Sequence, residues 1–211
     1  MPKQLSELTA KELTQTSRFL SLVLRHKAKN YGLEIEADGG VLLENLLNLP
    51  KFSEFAEPDK VVANIVDNDA KNRYTIFSKN NNWYIRANQG HSVKVSELPL
   101  KRVLDFSEIP VAIHGTYLEA WEKIQASGGL SKQKRQHIHL AAGLPEERNI
   151  KSGIRSNAQV YIYIDTKAAM RNGIEFFISE NGVILTPGNS EGIISSEYFK
   201  NVDIRTAQLK I

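Results

Sequence analysis

Apolar side chains in the first 90 residues keep helical spacing three times and then switch to alternation, and this order limits the folds open to the chain. Over residues 9 to 27, Leu13, Phe19, Leu20, Val23 and Leu24 recur at helical intervals, and Thr9 with Glu12 forms a capping box. Asp38-Gly39-Gly40 makes a turn ahead of a short apolar helix over residues 42–49. Pro58-Asp59 opens a further helix whose buried stripe is Val61, Val62, Ile65 and Val66. Residues 73–77 and 83–87 then alternate as strands around the polar tip Lys79-Asn80-Asn81-Asn82. Three helices followed by a hairpin is the order of a winged-helix module, which often binds nucleic acid; a small α+β domain without that role has the same order.

Strands dominate after that. Residues 92–109 connect the halves and are apolar enough to pack against one of them. A strand is expected over 111–114, a helix over 117–126 ended by Gly128-Gly129, and a short strand over 138–140. Residues 159–164 (QVYIYI) alternate as a strand with one solvated face should. Residues 176–179 and 183–186 flank Glu180-Asn181-Gly182, where Asn-Gly signals a hairpin. The expectation is an α+β chain of two lobes, residues 1–100 and 101–211, the second on a mostly antiparallel sheet.

Composition narrows the chemistry. The 211 residues are 41% apolar, enough for a small core in each lobe. The net charge is +3 and evenly balanced between the halves, so any basic surface for nucleic acid must be local. The absence of cysteine excludes disulfides, thiolate nucleophiles and sulfur-ligated metals. No N-terminal apolar run precedes a cleavage site, and no stretch approaches the roughly 20 apolar residues of a membrane span. These features suit a soluble cytoplasmic protein with no membrane partner, and nothing demands more than a monomer.

All five histidines lie in short polar clusters: Arg25-His26-Lys27, Gln89-Gly90-His91, His114-Gly115-Thr116 and His137-Ile138-His139. Arg25-His26-Lys27 closes the first helix, where cations pair favourably with the helix dipole and where the same groups would also hold an anion such as phosphate. Arg86-Ala87-Asn88-Gln89-Gly90-His91 leaves the hairpin, either as a solvated loop or as a donor-rich binding run. His114-Gly115-Thr116 is placed where a strand passes into a helix, and Gly115 would let a ligand approach the backbone. His137 and His139 would share a face next to the basic loop that includes Arg135. With no carboxylate near that pair and no thiolate in the chain, zinc is disfavoured and no metal is expected. Gly153-Ile154-Arg155-Ser156-Asn157 adds another arginine ahead of the QVYIYI strand. There is no dinucleotide fingerprint, Walker loop or GxSxG elbow. The polar clusters are cationic and suit a substrate that brings its own negative charge.

Leu24-Arg25-His26-Lys27, Arg86-Ala87-Asn88-Gln89-Gly90-His91-Ser92, His114-Gly115-Thr116, His137-Ile138-His139-Leu140 and Glu180-Asn181-Gly182-Val183-Ile184-Leu185-Thr186 occur in an order that resembles the NAD-dependent RNA 2′-phosphotransferases of tRNA splicing. Asn72-Arg73-Tyr74 also looks like that family's pattern, and the resemblance runs over residues 16–199. One departure is visible: Gly39-Gly40-Val41 stands where the family usually has Gly-Trp-Val. The resemblance implies a winged-helix-like RNA lobe over 1–100 and an NAD-binding lobe of the ADP-ribosyltransferase fold over 101–211. It implies that an internal RNA 2′-phosphate attacks the nicotinamide ribose of NAD and expels nicotinamide. A ribose hydroxyl then attacks phosphorus, leaving RNA with a free 2′-OH and ADP-ribose 1″,2″-cyclic phosphate. By the same resemblance Arg25, His26, Arg86 and Arg155 are the catalytic, phosphate-handling set, with Arg135 a rival to Arg155. His114, Gly115, Thr116, His139, Ser152 and Asn157 belong to the NAD pocket, and Lys27, Asn88, Gln89, His91 and Arg135 to RNA or phosphate binding. Two other functions fit the same residues: an ADP-ribosyltransferase acting on terminal phosphates of nucleic acid, and a non-catalytic nucleic-acid-binding sensor of NAD.

Overall fold

Thr9 turns the chain into its first long helix. Its side chain accepts the Glu12 amide, the Glu12 carboxylate takes the Thr9 amide at 2.9 Å, and α1 (Ala10–Leu22) starts there in the computed structural model. The structure describes residues 1–147, 153–155 and 157–205, so Ser152 lies outside the described residues. The chain divides into two units, Met1–Pro99 and Leu100–Ile211.

In the first unit α1 does not continue as a regular helix to Lys27. It passes into a π-type turn, Val23–Lys27, which buries Val23 and Leu24 side by side and then delivers Arg25, His26 and Lys27. After β1 (Val41–Leu42) and α2 (Leu43–Leu47), Pro58 occupies the first turn of α3 (Pro58–Asp67), whose Val61, Val62 and Ile65 are buried. Strands β2 (Tyr74–Lys79) and β3 (Asn82–Ala87) pair antiparallel through a two-residue turn. Asn80 and Asn81 hold positive φ of 51° and 60°, the pair of left-handed residues that a tight hairpin needs. The sheet order is β1-β3-β2, so β3 is central. Its core face carries Ile85 and Ala87 against Leu20, Leu24, Leu46 and Phe52. The Tyr74 hydroxyl donates to the Ser17 carbonyl at 2.6 Å and accepts from Ser21, pinning β2 to α1.

Gly40 is the departure noted in the sequence, and the structure shows what fills its surroundings. A Cβ there would sit 3.0 Å from Phe77 Cζ and 3.4 Å from Tyr84 Cδ1, so rings from β2 and β3 cover the site.

The second unit is strand-rich. Its elements run β4 (Leu100–Arg102), β5 (Ile113–Thr116), α4 (Leu118–Ala126), β6 (Gly129–Ser131), β7 (Ile138–Leu140) and β8 (Val160–Ile164). They continue as α5 (Thr166–Arg171), β9 (Phe177–Ser179), β10 (Ile184–Thr186), β11 (Ile193–Ser195) and β12 (Phe199–Ile204). The sheets have the orders β4-β9-β10-β7, β12-β8-β5 and β11-β6, all with antiparallel pairs. An Ile113–Ala141 bridge, with amide–carbonyl bonds of 2.9 and 2.8 Å, links β5 to the chain leaving β7. The Asn181-Gly182 turn joins β9 to β10, with Gly182 at φ 77°.

The QVYIYI strand has no fully solvated face: Val160, Ile162 and Ile164 enter one core, while Tyr161 packs with Ile113, Ala141 and Ile154 on the other side. The alternation is real, but a middle strand is covered twice. The 92–109 connection does not pack on one unit alone. Val95 and Leu98 lie against Gly39 in the first unit, whereas residues 100–102 form β4 on the edge of the second. Among the described residues, no helix is long and apolar enough to cross a membrane.

Candidate functional site: two arginine-bearing clusters

In the first unit two chain segments meet. The turn after α1 presents Arg25 and His26, and the run leaving β3 folds across them. The Ser92 amide donates to the Arg25 carbonyl at 2.9 Å, and Ser92 Oγ meets His26 Nδ1 at 3.0 Å, which orients the imidazole. Gly90 has φ 90°, a conformation other residues resist, and the Arg25 side chain runs alongside it. Arg86, Asn88, Gln89 and His91 are all buried, His91 to 2% exposure, so this run is not a solvated loop. Asn88 is spoken for: its carbonyl accepts from Thr75 at 2.8 Å and its amide donates to the Asn72 carbonyl at 2.9 Å. It braces the segment that carries Arg86. Arg86 Cζ lies 4.5 Å from the centre of the Phe77 ring. Lys27 is exposed. The Asn72-Arg73-Tyr74 motif is structural: Asn72 receives Asn88, Arg73 pairs with Asp69, and Tyr74 holds α1.

The second unit gathers a different set. His114, Gly115 and Thr116 form the last three residues of β5, and the chain enters α4 two residues later, so the trio lies where a strand passes into a helix. The space over Gly115 belongs to Ile154, whose Cγ2 would be only 2.2 Å from an added Cβ. The glycine therefore admits a side chain of the protein itself. His114 Nδ1 donates to the His139 carbonyl at 3.0 Å. Burial is the main force lowering the His114 pKa, and the charge of Arg135 adds to it. The ring is thus neutral near pH 7, with Nε2 carrying the lone pair. His139 and Phe177 both pair with Leu185 across β10 and so share its face, where His137 also meets the Phe177 ring at 6.2 Å. Arg135 and Arg155 share one neighbourhood: burial first, and then the charge of Arg155, lowers the Arg135 pKa. Arg155 Nη1 donates to the Tyr117 hydroxyl at 3.2 Å, and that hydroxyl donates to Asn157 Oδ1 at 3.1 Å. Thr116 is buried and its carbonyl accepts the Gln159 amide. Among the described residues no group of metal-ligating side chains converges.

Sequence reasoning named most of the charged groups and missed what holds them. Ser92 and Ile154 lay inside sequence motifs without a role assigned to them, and Phe77 and Tyr117 lay outside any motif. Phe77 was findable from hairpin register, which sets it diagonal to Arg86; the others become visible only in three dimensions.

Guanidiniums steadied by aromatic rings, with imidazoles beside them, make an α+β protein equipped to grip phosphate oxygens. Residues 11–188 match the RNA 2′-phosphotransferase, Tpt1 / KptA family, and the chain belongs to it. It is 44% identical over 192 residues to a putative tRNA 2′-phosphotransferase of Schizosaccharomyces pombe, covering 91% of this chain and 52% of that one. The chain thus spans about half the length of that relative. It is 46% identical over 189 residues to tRNA 2′-phosphotransferase 1 of Mus musculus, with 88% and 75% covered. A probable RNA 2′-phosphotransferase of Rhizobium leguminosarum is 37% identical over 177 residues, with 83% and 90% covered.

Proposed function

We propose that the chain removes an internal 2′-phosphate from RNA by transferring it to NAD. The first unit is a winged-helix-like RNA lobe and the second an NAD lobe of the ADP-ribosyltransferase kind. The observation that carries this is the seating of Arg25 and His26 against the segment leaving Arg86, through Ser92 and Gly90. A structural basic patch has no need to be tied into a buried polar run; a phosphate cradle does.

NAD supplies an anomeric carbon with nicotinamide as leaving group, and the second unit's donors fit such a ligand. Burial, and after it the nearby charge of Arg155, lowers the Arg135 pKa, a repulsion that a bound pyrophosphate would offset. Neutral His114 offers an acceptor at Nε2, and Asn157 lies beside Arg155 through Tyr117. The RNA phosphate is itself the nucleophile of the first step, so the chain has to orient it rather than activate it with a strong base. In the second step a ribose hydroxyl attacks phosphorus and negative charge builds on its oxygens. Arg25 and Arg86 act there, as fixed donors aimed at the charge that develops.

The test is to incubate the protein with NAD and a short RNA bearing one internal 2′-phosphate, then weigh the products. Dephosphorylated RNA with nicotinamide and ADP-ribose cyclic phosphate is the expected result. ADP-ribosylated RNA as the end product would mean a one-step transferase, and no NAD-dependent change in folded protein would leave a binding protein.

A further inference from the structure

Arg86 occupies the central strand of a three-stranded sheet, at 7% exposure. A long cation in such a place needs something to fix its plane. The register pairs Thr75 with Arg86 and Phe77 with Tyr84, so Phe77 and Arg86 are diagonal neighbours on one face. Across that diagonal the guanidinium carbon lies 4.5 Å from the ring centre, well inside the range of attraction between a cation and an aromatic face. Phe77 is in turn held by a second ring. Its ring stacks on Tyr84 with centroids 5.8 Å apart and planes 23° from parallel. The Lys79 ammonium lies 5.9 Å from the Tyr84 ring.

Gly40 completes the arrangement. The register that pairs Val41 with Ile85 brings the Gly40 backbone to the same end of β3 as Arg86. A Cβ at Gly40 would meet Asp38 Oδ1 at 2.9 Å and Phe77 Cζ at 3.0 Å, so a larger residue there would crowd both the Asp38 carboxylate and the ring. The Gly40 amide donates to Asp38 Oδ1 at 2.9 Å, which keeps this bend in place.

We propose that Phe77 is a positioning residue for Arg86, a flat platform that sets the plane and depth of the guanidinium, and that Gly40 is the coupled position that leaves the platform room. The catalytic consequence rests on the phosphate-handling role proposed above for Arg86; the guanidinium geometry can be read without it.

The experiment compares Phe77→Met, which keeps apolar bulk and loses the ring, with Phe77→Tyr, which keeps the ring. The Arg86 Nε–H resonance, identified by its loss in Arg86→Lys, carries the ring-current shift of a group above an aromatic face. It moves toward the position of an exposed arginine in Phe77→Met and stays in Phe77→Tyr. In single turnover with 2′-phosphorylated RNA and NAD, Phe77→Met slows phosphate transfer about tenfold or more, with the NAD Michaelis constant unchanged, while Phe77→Tyr restores the rate. Should Phe77→Met not fold, Phe77→Leu, which also removes the ring and keeps apolar bulk, supplies the same reading. An unshifted resonance in the folded ringless variant overturns the proposal, and so does a transfer rate within about threefold of the parent. A parent protein with no phosphate transfer at all overturns the proposed function instead, and the resonance still decides the role of Phe77.

Discussion

In the first unit Arg86 is buried on a central strand and rests on Phe77, a ring with no polar atom; in the second Arg155 is exposed and donates to the hydroxyl of Tyr117 at 3.2 Å, its guanidinium carbon 5.7 Å from that ring. Each arrangement also contains a glycine covered by a large side chain. Phe77 lies over Gly40, and Ile154, the residue before Arg155, lies over Gly115. The difference is in what limits each arginine. Arg86 is buried against the Phe77 ring, whereas Arg155 has a backbone anchored through Ile154 and an exposed head group that donates to the Tyr117 hydroxyl. The first suits a donor that must stand ready at one point; the second suits one that adjusts to an arriving ligand.

The sharpest way to break this comparison is to remove each guanidinium. Arg86→Ala should lower the phosphate-transfer rate by about 10²- to 10³-fold, the cost of a preorganised donor in a shielded site. Arg155→Ala should cost only about tenfold, because water competes at an exposed site. Equal losses in single-turnover rates would erase the distinction. Gly115→Ala comes next. Its Cβ would meet Ile154 Cγ2 at 2.2 Å, so about 1–3 kcal/mol of stability should be lost, visible as a lowered melting temperature. Ile154→Ala in the same chain should recover part of that loss if packing, and not ligand access, is what the glycine serves.

Tyr117→Phe sharpens the other side. It keeps the ring and deletes a hydroxyl bonded to Arg155 and Asn157, so about 0.5–1.5 kcal/mol of binding should disappear. Titration with NAD would show this as weaker binding with a nearly unchanged melting point. The smallest effect concerns pH. Burial, aided by Arg135 for His114 and by Lys132 for His137, lowers the proton affinity of both rings. The unfolded chain binds those protons more readily, so their contribution is complete above about pH 6.5 and is lost as pH falls toward the lowered folded values. Thermal melts between neutral and mildly acidic pH should show this slope, and His114→Gln should flatten it.

The helices and hairpins were legible because each rests on local chemistry. The Thr9–Glu12 box, Pro58 at a helix start, and the Asn80-Asn81 and Asn181-Gly182 turns needed nothing remote. The conversion of the α1 end into a π-type turn was not, since it answers to the packing of Val23 and Leu24 rather than to any residue preference. The double cover of β8 escaped for a related reason: Tyr161 and Tyr163 read as the wet face, but Ile113, Ala141 and Ile154 arrive from distant parts of the chain. Among the candidate site residues, charge and histidine clustering marked Arg25, His26, Arg86 and His114. They could not show that Asn88 is a brace, that Gly115 admits Ile154, or that the charge of Arg155 reaches Arg135.

The wide turn at Val23–Lys27 has one consequence for how this chain tolerates change. A π-type turn holds one more residue than an α-turn, and each residue of a helix accounts for about 100° of rotation. Trimming a single residue would let the helix run on regularly and swing Arg25 away from Gly90 and the Ser92 amide, though every chemical group remained. At this point the chain is exacting about length as well as composition: a substitution alters one side chain, whereas a deletion re-aims all those that follow.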